Sequence, residues 1–457
     1  MHGSAQLGEN GFSASIRCDI RARSVRGLVD ILWTIASAEP LDAQPKSFMV
    51  EARSNPLRRH HLWRRIDARA TMTENASSLF PSTDDRVGAA PRHTTGILPY
   101  QALKELIRNK EIMAAAEFGE QQIQPASLDL RLGLVAYRVR ASFLPGEGYT
   151  VKQKIDLFGM HKIDLSTGAV LEKGCVYVVP LMEYAALSSR ISGLANPKSS
   201  VGRLDIFTRL IADYATEFDR VPAGYDGPLH AEISPRTFSI VVRQGSRLNQ
   251  LRIRRGSPAY SDAELFRLHE QLRLLDRPLE PRHVQRGLPV TVDLSGEPGQ
   301  QLIGFRAKKH SDLIDLDKIG HYEPLDYWEP IFATRERAII LNPDDFYVLA
   351  SKEAVNVPPD HAAEMVAYDT LVGEFRVHYA GFFDPGFGHA AQGASGTRAV
   401  LEVRSHDVPF MIEDGQLVGR LVYERLTDVP DKLYGAAIGS SYQRQGLQLS
   451  KQFKPYR

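Results

Sequence analysis

From Thr95 onward the chain sets short apolar or alternating runs between Gly, Pro and Asp punctuation, the pattern of an all-β protein. Leu128 to Leu132, Val135 to Val139, Val176 to Val179, Leu229 to Ile233, Phe238 to Val242 and Leu248 to Ile253 predict strands whose apolar side chains form core. Two stretches carry helical spacing instead. Tyr100 to Ile107 predicts a short amphipathic helix after Gly96-Ile97-Leu98-Pro99. Ser261-Asp262-Ala263-Glu264 is a capping box ahead of Leu265, Leu268, Leu272 and Leu275, and predicts a helix of about four turns ending before Pro278.

Beyond that helix the order of the first half returns. Val292-Asp293-Leu294 matches Leu128-Asp129-Leu130, and Tyr347-Val348 matches Tyr177-Val178. Gly415 with Leu417 and Leu421 matches Gly245 with Ser246, Leu248 and Leu251. An internal duplication is the economical explanation. The expected organisation is a mainly β chain with one unit over 94–260, a connecting helix in 261–280 and a second unit over 285–457.

Residues 1–90 read differently. They are rich in Arg, among them Arg17, Arg21, Arg23, Arg26, Arg58, Arg59, Arg64 and Arg65, and show no sustained alternation, so a disordered extension is expected. Asp19, Asp30, Glu39, Asp42, Glu51 and Asp67 are too many acids for a transit peptide, and no apolar stretch near the start suits a signal peptide. Met72 opens MTENASSLFPSTDD, a polar leader. The favoured reading is a true start near Met72, with residues 1–71 untranslated.

Composition narrows the partners. The 457 residues carry a net charge of +1, and 24% of them are charged, so no basic field argues for nucleic acid. No run reaches the roughly 18 apolar residues of a membrane helix. Cys18 and Cys175 are too few and too far apart for a disulfide framework, which fits a cytoplasmic protein acting on a small molecule.

The candidate chemistry lies between Ala195 and Ile233. Pro197-Lys198-Ser199-Ser200-Val201-Gly202-Arg203 sets two hydroxyls between two cations, a donor set that suits phosphate oxygens, although a solvated polar turn has the same composition. Pro222 to Gly227 is a hairpin signal leading into a strand that carries Glu232, an acid placed to carry a proton. In the second half Phe383-Asp384-Pro385-Gly386-Phe387-Gly388 leads, after a longer loop, to Val400-Leu401-Glu402.

This combination resembles the dCTP deaminase family, a branch of the dUTPase-like trimeric nucleotidohydrolases. Lys198 to Arg203 is similar to the family's Arg-Ser-Ser-x-x-Arg phosphate segment, and Pro222 to Glu232 to its hairpin and Leu-Glu strand. Ile123 to Gly133 is similar to its opening strand. The resemblance runs from about Gly96 to Lys454. It implies two tandem dUTPase-like distorted β-barrel (jelly-roll or β-clip) repeats and hydrolytic deamination of dCTP to dUTP and ammonia.

The resemblance also implies roles. Glu402 or Glu232 is the general base, and the Ser199 hydroxyl and the carbonyl of Ala380 hold the water. Lys198, Ser199, Ser200 and Arg203 come from the first half. Asp384, Val400, Leu401, Glu402, Tyr434 and Gln445 come from the second, whose Met365 to Gly373 has no Ser-Ser and no Arg. Glu402 is favoured as the base, because Asp384 stands ahead of it where the first half has only Pro222. Ser441 stands where the family tail usually has Lys, and Phe382 where it has Arg.

His230-Ala231-Glu232 matches half of a zinc deaminase signature, but no C-x-x-C completes it, so the chemistry is expected to need no metal. Mg2+ is expected only with the triphosphate. Family sites lie between barrels, which implies a homo-oligomer. A dUTPase, alone or combined with the deaminase, and a non-catalytic nucleotide-binding regulator are the alternatives.

Overall fold

The alternating runs become strands that outlast their apolar letters. Val135–Val139 is a strand with those bounds, whereas the run expected over Val176 to Val179 extends to Ala186. Pro180 ends the apolar run without ending the strand. Its ladder with Asp226–Pro235 shifts register between Pro228 and His230, and the irregularity absorbs two residues that lack an N–H.

The computed structural model describes residues 93–456 apart from 297, 298, 300, 367–374, 379, 380, 390–395, 406, 407 and 436–445. The 1–90 extension, the Met72 start, Ala380, Ser441 and Gln445 therefore lie outside the described residues. All described residues fall within one compact unit. None of their helices is long and apolar enough to cross a membrane.

The chain is mainly β. In the first half Arg247–Arg255 pairs with Gly96–Ile97, Ile191–Pro197 and Leu128–Arg131, while Val176–Ala186 lies between Val135–Val139 and Asp226–Pro235. In the second, Leu417–Arg425 lies between Leu288–Thr291 and His361–Val366, and Phe346–Val355 between Leu302–Ala307 and Thr397–Ser405.

Ladder registers correspond between the halves at several positions. Glu232 faces Val178 as Glu402 faces Val348, and Leu251 faces Leu128 as Leu421 faces Leu288. The Arg131 N–H donates to Glu183 at 2.8 Å, and the Thr291 N–H to Glu353 at 2.8 Å. The counterpart of Leu128-Asp129-Leu130 is therefore Leu288-Pro289-Val290, not Val292-Asp293-Leu294. The letters misled because Pro289 stands where the first half has its acid.

The connecting helix is Asp262–Leu272, capped reciprocally by Ser261 and Glu264. It stops five residues short of Pro278 because Arg273 takes a left-handed conformation (φ 48°) and returns its N–H to His269. Leu275, expected on the helix face, instead bridges Val355 and joins the core of the second half.

Successive residues of a strand point to opposite faces, and this divides the packing. Leu349, Leu401 and Val403 enter the core of the second half. Val348 and Val400 enter a cluster shared with Val201, Leu204, Ala231 and Ile233 of the first. The two halves are thus joined by a common apolar core, and the polar residues next to it on the same faces meet across that junction.

Candidate active site

Lys198 to Arg203 lies between two strands, Ile191–Pro197 and Ile206–Ala212. A single helical turn, Ser199–Gly202, reverses the chain, with the Val201 and Gly202 N–H groups both donating to the Lys198 carbonyl. Asp205 then adopts φ 55°, unusual for a residue with a Cβ, and returns the chain to extended backbone. Lys198 is held by the Asp129 carboxylate. The Ser450 hydroxyl donates to the Ser200 carbonyl at 2.6 Å, and Arg203 donates to the Gln448 carbonyl at 2.9 Å. The C-terminal segment is therefore fastened across this turn.

From the second half the Asp384 hairpin reaches the same place. Gly388 (φ 64°) closes it, and a Cβ there would fall 2.0 Å from the Val355 carbonyl oxygen, so only glycine fits. Arg252, buried on the Arg247–Arg255 strand, donates to Asp384 at 3.3 Å and to the carbonyls of Ala363 at 3.1 Å and Phe383 at 3.4 Å. Its guanidinium also lies over the Phe382 ring. Burial raises the Asp384 pKa, and Arg252 and Lys198 oppose the rise.

These elements enclose a cavity of about 530 Å³. Lys198, Ser199, Ser200 and Arg203 line it from the first half; Asp384, Val400, Glu402 and Tyr434 line it from the second. Leu401 faces the other way, into the second half's core, so only its backbone can serve the site.

Glu402 is 5% exposed and its carboxylate oxygen lies 3.9 Å from Arg203 Nε. Burial pushes its pKa up to about 8, against the pull of Arg203. A carboxyl in that range can accept and return a proton near neutral pH.

Glu232 does not line the cavity. Although it sits at the corresponding ladder position, Arg209 on the neighbouring strand holds its carboxylate at 2.5 Å. The residue across from Glu402 in the matching ladder is His378. Among the described residues no group of three or more His, Cys, Asp or Glu side chains is placed to hold a metal ion.

Sequence reasoning did not assign Asp129, Arg247, Arg252 or Lys451, all close to these groups. Arg252 left a trace: Gln250, Arg252 and Arg254 share one face of a strand whose apolar residues imply burial, and a cation repeated there calls for an acid opposite. Lys451 lines the cavity, and its pKa is lowered by burial and by Lys198 and Arg247.

The family description 2'-deoxycytidine 5'-triphosphate deaminase (DCD) N-terminal domain matches residues 94–257, and the description of the C-terminal domain of the same enzyme matches residues 261–453. The chain is 31% identical over 196 residues to the dCTP deaminase of Haloarcula marismortui, covering 42% of this chain and 93% of that one. It is 28% identical over 193 residues to a protein of Pseudarthrobacter chlorophenolicus named dCTP deaminase, dUMP-forming, covering 40% of this chain and 90% of the relative.

The crystal structure of 2'-deoxycytidine 5'-triphosphate deaminase from Agrobacterium tumefaciens superposes with a TM-score of 0.70 at 55% identity, covering 74% of this chain and 100% of that chain. The chain belongs to the dCTP deaminase family.

Proposed function

We propose that this dCTP deaminase uses Glu402 as general base in a site composed from both halves of the chain. Water adds to C4 of the cytosine ring and the 4-amino group leaves as ammonia, so that dCTP and water become dUTP and ammonia. In this reading Glu402 takes a proton from the water and delivers it to N3, then carries the proton of the new C4 hydroxyl to the amine, which leaves as ammonia as the C4 carbonyl forms. The Ser199 hydroxyl and the Ala380 carbonyl hold the water. The observation that carries the reading is the buried Glu402 carboxyl, with its pKa near 8, in one cavity with Lys198, Ser199, Ser200 and Arg203.

Arg203 stands beside the base, so its charge acts on Glu402 and on charge developing at the ring before it acts on the phosphate tail. Lys198, Ser199, Ser200, Tyr434 and Gln445 grip the triphosphate with Mg2+ as its counterion, and Asp384, set by Arg252, faces the sugar. The chemistry itself uses no metal. We also read the chain as two β-barrel repeats from a duplication, on the strength of the matching registers. Assembly into a homo-oligomer and a cytoplasmic location belong to the same reading.

A second activity, cleavage of dUTP to dUMP and pyrophosphate, is favoured by the dUMP-forming names of several relatives. Incubation with dCTP and Mg2+, assayed for both ammonia and pyrophosphate, tests all of this. Ammonia alone supports the deaminase, and both products support the bifunctional enzyme. Binding of dCTP without ammonia overturns the catalytic reading in favour of a regulator.

A further inference from the structure

Two residues beyond Arg203, and two beyond Glu402, a second ion pair crosses the same junction with its charges reversed. Arg404 Nη2 donates to the carboxylate of Asp205. The same Nη2 lies 3.2 Å from the Thr237 hydroxyl, which itself donates to Asp205 at 2.5 Å, and Nη1 donates to the Asp344 carbonyl at 2.8 Å. Asp205 is fully buried and Arg404 is 8% exposed. One guanidinium thus ties the turn after Arg203, the start of a first-half loop at Thr237, and a second-half turn at Asp344 to the strand that carries the base.

The placement is specific to this junction. Glu402 and Arg404 lie on one face of the Thr397–Ser405 strand, about 7 Å apart along it. In the first half the residue two beyond Glu232 is Ser234, so the corresponding strand has no such cation. Desolvating an ion pair is costly, and an apolar pair would have packed the junction at no such penalty. What the charges add is a fixed register, because the guanidinium fork accepts few arrangements of its acceptors.

We propose that the Asp205–Arg404 pair is a positioning device for the reaction: it holds the turn bearing Arg203 in register with the strand bearing Glu402, and so sets the spacing of guanidinium and carboxylate. The proposal rests on the assignment of Glu402 as base. A displacement of about 1 Å between reacting groups can cost on the order of 100-fold in rate, so loss of the pair is felt in turnover before it is felt in binding. Among the described residues, Arg203 is the charged side chain paired with Glu402, at 3.9 Å. Across the flanking ladders stand Val348 and His378, and on its own strand face Val400 and Arg404.

The test uses the full chain with Asp205→Asn, which tolerates the left-handed backbone, and with Arg404→Met and Arg404→Lys. Asp205→Asn and Arg404→Met are expected to lower kcat roughly 10- to 100-fold while KM for dCTP stays within about threefold. The rising limb of kcat/KM against pH should move to higher pH in both, in the direction Arg203→Ala moves it, and Arg404→Lys, which keeps the charge but not the fork, should recover kcat only in part. If Arg404→Met does not fold, Asp205→Asn and Arg404→Lys carry the measurement.

A lowered melting temperature with kcat and the pH limb unchanged would reduce the pair to a structural anchor and overturn the proposal, as would a Lys variant as slow as the Met variant. Glu402→Gln is measured alongside. Turnover in that variant removes the base assignment itself. A dead Glu402→Gln beside a normal Asp205→Asn removes the positioning role alone.

Discussion

Glu232 and Glu402 occupy the same place in corresponding ladders, opposite Val178 and Val348, each beside an arginine but at different distances from it. Arg209 donates to Glu232 through Nη2 at 2.5 Å and Nε at 3.2 Å, whereas the Arg203 guanidinium stands 3.9 Å from Glu402 and leaves its carboxyl raised to about 8. Glu232, engaged by two arginine hydrogen bonds and outside the cavity lining, is not placed to meet a substrate there. Glu402→Gln should therefore cost on the order of 10²- to 10⁴-fold in kcat with dCTP still bound. Glu232→Gln should keep most of the rate but melt at a lower temperature, since it leaves Arg209 without its carboxylate. Steady-state kinetics and melting curves on both variants check this, and the reverse ranking would move the base to the first half.

The pH profile follows from the same carboxyl. The base must be ionised to accept a proton, so kcat/KM should rise with pH through about 8 in the free enzyme. Arg203 favours the ionised form, and Arg203→Ala should therefore move the limb to higher pH as well as lower the plateau. A limb near the ordinary carboxylate range in the wild type would mean that Glu402 is solvated.

Stability should respond in the opposite sense to activity. A glutamate in the unfolded chain titrates near about 4.3, and Glu402 in the folded chain near about 8, so between those values the folded form holds one more proton. Its contribution is fully present below the lower value and is lost as pH rises through the upper one. Glu402→Gln should melt above wild type at about pH 9 and no higher than wild type at about pH 3.5. An increment equal at both pH values would show that ionisation of this group is not what the fold opposes.

Metal removal gives a further check. A strong zinc chelator, followed by restoration of Mg2+, should leave deamination intact, because the sequence has no C-x-x-C to complete a zinc deaminase site. Activity lost and rescued by zinc alone would replace the proposed mechanism.

What could be read before the structure was local. Val135 to Val139 stood between turn residues and kept its bounds, and the short motifs around Ser199 and Glu402 were visible as sequence, although only the fold brings Arg203 to 3.9 Å from Glu402. Helix length was misjudged because Leu275 continues the apolar spacing, while the stop comes from the backbone of Arg273. Arg252 and Arg404 carried no local sign of their partners, Asp384 and Asp205, which lie far along the chain. Periodicity identifies a buried face. It does not say which buried acid meets which buried cation.

Lys451 makes the last case. It stands on the tail segment that Ser450 fastens to the Ser200 carbonyl, and it lines the cavity with Lys198 and Arg247. Burial and the repulsion of those two cations lower its pKa, while Asp129, which holds Lys198 and lies 3.4 Å from Arg247, and Asp317 oppose the fall; a polyanion brought to this lining would further favour the charged ammonium. On the proposed reading the three phosphates of dCTP are such a polyanion, and Lys451 would be the tail cation in a chain that has Ser441 where the family usually has Lys. Losing a hydrogen bond to a charged group costs about 1.5–3 kcal/mol, so Lys451→Met should raise KM for dCTP at least about tenfold. The effect should shrink for dCMP and vanish for deoxycytidine, and it should weaken at high salt. Measuring KM across that series checks the assignment, and an equal loss for deoxycytidine would make Lys451 a residue of the fold and not of the phosphate grip.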